Sequence, residues 1–170
     1  SSGGLPEEPE REVLPRASSI YEGVDPTPEL REDGTCRIGH SIFDISAPEV
    51  VFGSRFDILP TAIASINHPQ KNIVLLGEVF GYTAEENRSG DKMDITFNLF
   101  DGNASIEHRT FGMELEQAKE LGDIVKNGGV YAMKGYVKQM TRKGKTDLDY
   151  TFFYTDIAKI SKVMRQDKGP

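Results

Sequence analysis

Between Ile73 and Ile160 the hydrophobic period changes twice, and the order of those changes restricts the fold more than any single residue does. NIVLLGEVFGYTA reads as a first strand. The turn residues NRSGD then lead to KMDITFNLF, and Asp101-Gly102-Asn103 lead to SIEHRTF. ELEQAKELGDIV switches to helical spacing, with Leu115, Ala118, Leu121 and Val125 on one stripe. Alternation returns in VYAMKGYVKQM and LDYTFFYTDIAKI. Period two marks half-buried strands, and recurrence every three to four residues marks a helix. The order is therefore strand, strand, strand, helix, strand, strand.

The faces of these strands are well separated. Met93, Ile95, Phe97 and Leu99 share one side of the second strand, and Asp94, Thr96 and Asn98 share the other. With the third strand this makes a hairpin. Gly77 sits mid-strand, where a small barrel needs a sharp bend. Glu114 and Glu116 are expected in the first helical turn, where carboxylates complement the dipole, and Gly128-Gly129 is expected to stop the helix. On the fourth strand Tyr131, Met133, Gly135 and Val137 face one way, while Ala132, Lys134, Tyr136 and Lys138 face the other. A helix lodged between the third and fourth of five strands is the order of the OB-fold. That mainly β, five-stranded Greek-key barrel holds oligonucleotides or oligosaccharides. The helix is expected to plug its open end.

The flanks read differently. Residues 1–34 are rich in Pro, Glu, Gly and Ser and cannot bury enough apolar surface to offset ordering entropy, so they are expected to form an acidic, disordered linker or tail. Residues 35–72 contain RIGHSIFDI and VVFGSRFDI, interrupted by Pro48, Pro60 and Pro69. An extended arm with one or two short strands lying on the barrel is the expectation. The barrel itself spans 73–160, and 161–170 reads as a linker to a further domain. No apolar run approaches the roughly 18 residues of a spanning helix, and the beginning lacks the basic and apolar regions of a secretory signal. Cys36 is the single cysteine, which excludes a disulfide framework and a cysteine-rich zinc site. A reducing cytoplasm and no membrane partner are expected.

The net charge of −7 is unevenly spread. Residues 1–34 carry −6, residues 35–125 carry −7, and residues 126–170 carry +6. The local field, not the total, decides what a surface attracts. Its basic end holds Lys134, Tyr136 and Lys138 on one strand face, with Arg142, Lys143 and Lys145 at the tip of the last hairpin. In OB-folds that loop and the loop joining the first two strands flank the binding face. Lysine and arginine there track phosphates, and an interleaved tyrosine offers a surface on which a base stacks. The competing reading is a solvated strand face with a charged tip that discourages edge pairing. Arg88, Lys92 and Arg109 extend the basic set onto the neighbouring loop and third strand, although Arg109 shares a parity with Glu107 and is as readily its neutralising partner. Phe100 is expected to cover a satellite core beneath the arm.

Other chemistry is poorly supported. His108 shares the parity of Ile106 and is expected to be a partly buried, hydrogen-bonded core residue. His40, His68 and His108 lack metal-ligand spacing. Asp147 and Asp149 share a strand face, but Arg142, Lys143 and Lys145 favour cross-hairpin ion pairs over a bound cation. Nothing reads as a nucleophile elbow, a phosphate-binding loop or a GxGxxG turn. No cofactor, no metal and no catalysis by this chain alone are expected.

The segment GEVFGYTAEENRSGDKMDITFNLFDGNASIEHRTF resembles the OB domain near the N-terminus of PolC-type DNA polymerase III alpha subunits, the replicative polymerases of Gram-positive bacteria. The resemblance rests on Gly77-Glu78-Val79-Phe80, Ser89-Gly90, Thr96-Phe97 with Leu99 and Asp101, Ser105-Ile106, Phe111, Lys134-Gly135 with Val137, and Asp156-Ile157. RIGHSI looks like the segment preceding that domain, and Met164 to Asp167 resembles the linker that follows it. Asn98 stands where the family often has a lysine, and His108 where it has an aliphatic residue. The resemblance implies a non-catalytic fragment of a DNA-directed DNA polymerase with 3′–5′ exonuclease. Such a fragment would contact single-stranded or template DNA during replication, alongside other polymerase domains and replisome proteins. A protein-interaction module docking those same partners is the rival.

Overall fold

The computed structural model describes residues 25–141 and 148–163. Three strands form the arm: β1 (Glu29–Leu30), β2 (Thr35–Ile38) and β3 (Ser41–Phe52). After a single 3-10 turn at Ile63–Ser65 come β4 (Gln70–Glu86), β5 (Lys92–Phe100), β6 (Ser105–Glu114), the helix α1 (Leu115–Ile124), β7 (Val130–Thr141) and β8 (Leu148–Lys162). The sheet order is β1-β2-β3-β8-β6-β5-β4-β7, and β7 also pairs with β8. The ring β4-β5-β6-β8-β7 is therefore closed. All of its ladders are antiparallel except β6–β8, which runs parallel at Glu107 and Thr151. This is an OB-like barrel, as the periodicity predicts.

The interior is the alternating face read from the sequence. Ile95, Phe97 and Leu99 of β5, Ile106 of β6, and Tyr131, Met133 and Val137 of β7 are all buried in one cluster. Gly77 is required where β4 crosses β5, because a Cβ there would lie 2.7 Å from Leu99 Cγ and 2.8 Å from the Phe100 carbonyl. The helix contributes Ala118 and Leu121, followed by Val125. Leu115 is 47% exposed, so the stripe starts one turn later than its spacing suggests. Glu114 ends β6 and only flanks the helix, leaving Glu116 as the acid of the first turn.

The helix also stops before its glycines. The Val125 N–H donates to the Leu121 carbonyl, while Gly128 lies further on with φ at 86°. The Gly128 N–H donates to Val79 O, and the Val79 N–H donates to Gly129 O. The glycine pair thus fastens the turn to β4. Tyr131 completes this end by donating to Ile124 O at 2.8 Å and accepting from the Lys126 N–H at 3.0 Å.

The arm is more regular than expected. It begins within the segment read as a tail, since Glu29 and Leu30 pair with Arg37 and Cys36. β3 then runs along β8, pairing from Phe43–Lys162 to Phe52–Ile157. A second core lies outside the barrel wall, where Cys36, Ile38 and Phe43 meet Val74, Leu76, Ala132, Ala158 and Ile160. That satellite core exists as predicted. Phe100 is not part of it and stays half-exposed on β5.

Asp101 joins arm and barrel. It is fully buried, and its carboxylate accepts from the N–H groups of Ile63 at 2.9 Å and of Asn103 and Ala104 at 3.0 Å each. Burial raises its pKa, and these backbone donors oppose the rise. Asp101→Asn places an amide NH2 against an N–H donor, so it should lower stability by about 1–2 kcal/mol in urea unfolding. An unchanged midpoint would contradict this role.

Candidate nucleic-acid interface

Alternation along β7 sends Lys134, Tyr136 and Lys138 to the outer wall, beyond the part of β7 that the arm covers through Ala132. Tyr136 sits directly across from Phe153 of β8. Their rings stack with centroids 5.3 Å apart and planes 19° from parallel. Lys138 Nζ lies 5.6 Å from the centre of the Tyr136 ring and 6.0 Å from that of Phe153. The ring quadrupoles attract an ammonium at this range. The result is a cation resting on a two-ring platform at the surface.

Backbone irregularities on both sides of β7 shape the ground beside this platform. On the β8 side the register skips between Lys134–Asp156 and Gly135–Tyr154, leaving Thr155 as the extra residue. On the β4 side it skips between Gln70–Val137 and Ile73–Gly135. Asn72, inside that second bulge, has φ of 56° and is the one non-glycine with positive φ among the described residues. Gly135 is the point both bulges flank. A Cβ there would lie 1.9 Å from the Phe153 carbonyl oxygen, so only glycine fits. Between the bulges is a groove of about 330 Å³ lined by Lys71, Asn72, Gly135, Tyr136, Lys138 and Thr155.

Lys134 is partly committed elsewhere. It pairs in register with Asp156. Burial of Asp156 raises its pKa, but hydrogen bonds from Ser54 and Thr155, with the Lys134 charge, outweigh that and hold it below the usual value. Lys138 makes no ion pair among the described residues.

The remaining members of the predicted set are dispersed. Arg109 is on the outer face of β6 and donates to Glu107 at 2.7 Å, so it takes the neutralising role. Lys92 pairs with Glu114, at the end of the barrel where β6 gives way to the helix. Arg88 is exposed in the β4–β5 loop nearby. The β7–β8 hairpin leaves from the opposite end, since β8 begins beside the start of β6. Arg88, Lys92 and Arg109 therefore do not extend the β7 patch. Arg142, Lys143, Lys145 and Asp147 lie outside the described residues.

The face usual for OB-folds, on β5 and β6, is mixed in charge. It presents Thr96, Asn98, the Glu107–Arg109 pair, and Asp94, which accepts from the Gly112 N–H at 3.0 Å. Phe80 and Phe111 are 46% and 68% exposed nearby. Among the described residues no cluster of His, Cys, Asp and Glu is arranged to hold a metal ion, and no helix is long and apolar enough to cross a membrane.

Sequence reasoning missed Lys71, Asn72 and Phe153. The first two begin β4 as a polar pair that alternation does not orient, because the bulge falls among them. Phe152 and Phe153 are adjacent, and the Thr155 bulge resets the parity by which the outward one would be identified. Phe152 is buried in the barrel core. No protein-family model matches the chain, and no curated protein matches it either.

Proposed function

We propose that this barrel is a non-catalytic module that binds single-stranded nucleic acid without sequence preference, and that it serves single-stranded or template DNA within a PolC-type replicative polymerase. The observation that carries the reading is the Tyr136–Phe153 platform with Lys138 upon it, on the outer wall of a barrel with OB topology. Aromatic faces that accept any base, beside cations that track the backbone, are the working parts of such binders. In sequence β7 is followed by Arg142, Lys143 and Lys145, which add positive charge to this part of the chain. The polymerase context rests on the sequence resemblance alone.

The test is fluorescence anisotropy of labelled oligo-dT across a salt series. The affinity should fall by roughly 0.7 log units per log unit of salt for each phosphate neutralised. Tyr136→Ala should weaken binding about ten-fold, within the roughly 1–3 kcal/mol of one stacked base. Absence of any salt-sensitive binding at low ionic strength would sink the reading.

The exposed Phe80 and Phe111 favour a second reading, a module that docks neighbouring polymerase domains or replisome proteins. Lys138→Glu separates the two. It weakens oligo-dT binding under the first and leaves DNA indifferent under the second.

A further inference from the structure

We infer that the groove flanked by the two bulges is a subsite for one unpaired nucleotide, with the base against Tyr136 and the phosphate between Lys71 and Lys138. The inference rests on the nucleic-acid reading above. It adds Lys71 and Asn72 to the binding set and moves the path of the strand off the usual β5–β6 face.

The size is appropriate. At about 330 Å³ the groove is at the lower end of the range of small-molecule sites, about 300 to 1,000 Å³. That suits a single base with its sugar and phosphate. The polar groups are also suitable. Lys71 and Asn72 are exposed, and neither side chain makes a hydrogen bond or ion pair among the described residues. Among the described residues, Lys138 is engaged only with ring faces. Two ammonium groups that line the same groove as Tyr136, without a carboxylate partner among the described residues, fit a phosphate. An amide offering both donor and acceptor fits the edge of any base.

The backbone is an independent sign. Asn72 holds a left-handed conformation, which side chains other than glycine's adopt rarely and asparagine's most readily among them. Strained residues and bulges concentrate where a side chain must be aimed at a ligand. Here the two bulges meet at one glycine, and the groove they open contains both the strained asparagine and the platform tyrosine. The β5–β6 face has bulges of its own, at Gly81 and Gly112, but there glycine takes the positive φ and the arginine is already neutralised by Glu107.

Amide shifts of the isotope-labelled chain, titrated with oligo-dT at low salt, test the assignment. Residues 71, 72, 135, 136 and 155 should shift first and saturate together. Lys71→Gln should reduce the salt slope by about 0.7, the signature of one lost phosphate contact. Asn72→Gly relieves the backbone strain, so it should leave thermal stability equal or higher while weakening oligo-dT binding several-fold. Two results overturn the subsite while leaving the function standing. In one, oligo-dT binds but shifts gather on Thr96, Asn98, Arg109 and Phe111 with the groove silent. In the other, both variants bind as the wild type does. No salt-sensitive binding of oligo-dT at all would instead overturn the function, and the subsite with it.

Discussion

Gly135→Ala should destabilise the barrel by about 3 kcal/mol or more, at the upper end of what overpacking costs. The added methyl would meet a backbone carbonyl, that of Phe153, at 1.9 Å. A flexible side chain in that position would swing aside. A carbonyl held in the β7–β8 ladder moves only if β8 moves, and β8 is also paired with β3 and β6. Urea unfolding should show a lower midpoint. A midpoint within experimental error of wild type would mean that β8 yields freely and that the bulge at Thr155 is not a fixed feature. The same substitution narrows the groove, so any folded fraction should bind oligo-dT less well.

Acid should destabilise the protein through His108 by about 3 kcal/mol between pH 6.5 and about 4. Burial among aromatic rings pushes its pKa down from 6.5 to about 4, a fall only partly opposed by its bond to Phe152. The Phe152 carbonyl can only accept, so Nδ1 carries the proton at 2.9 Å, and Nε2 accepts from the Thr110 hydroxyl at 2.8 Å. The ring is packed against Phe97 at 4.8 Å and Tyr154 at 5.0 Å, with no carboxylate among its hydrogen-bond partners or ring contacts to favour the imidazolium. With the folded pKa depressed, the unfolded chain binds the extra proton in this window. The contribution is therefore complete above pH 6.5 and is lost as pH falls toward 4. Unfolding free energies of wild type and His108→Gln, measured from pH 7.5 to 4.5, should differ in slope. Parallel curves would refute the assignment, whatever the absolute stability of the variant.

Where side chains alternate without interruption, the sequence discloses the fold and even single orientations. β5 shows its buried Ile95, Phe97 and Leu99 directly, and the parity of Ile106 places His108 inside. Residues at changes of period are less legible. Leu115 matches the helical stripe but sits where strand becomes helix, and Gly128-Gly129 resembles a helix stop although it ties a turn to β4. The candidate site is harder again. Tyr136 and Lys138 are visible as neighbours on one face, but their partners come from β4 and β8 across bulges. A bulge shifts parity by one, and whether it is present depends on close approaches such as Gly135 to Phe153. Those are properties of paired strands and have no pattern in one strand's sequence. Charge misled in a similar way, because Arg88, Lys92 and Arg109 join the basic set by sign, whereas β8 or the length of the barrel separates them from it.

The pairing of β3 with β8 also determines when the arm and barrel can close together. Phe43 and Lys162 come from opposite ends of the described chain, so the arm's long strand has no ladder partner on that edge until the last strand exists. Contacts so distant in sequence slow folding. A chain emerging from a ribosome in order would make its β5–β6 hairpin early and keep Cys36, Ile38 and Phe43 uncovered through synthesis. Of these elements the arm is made first and settles last, and closure of the outer core reports that β8 has arrived.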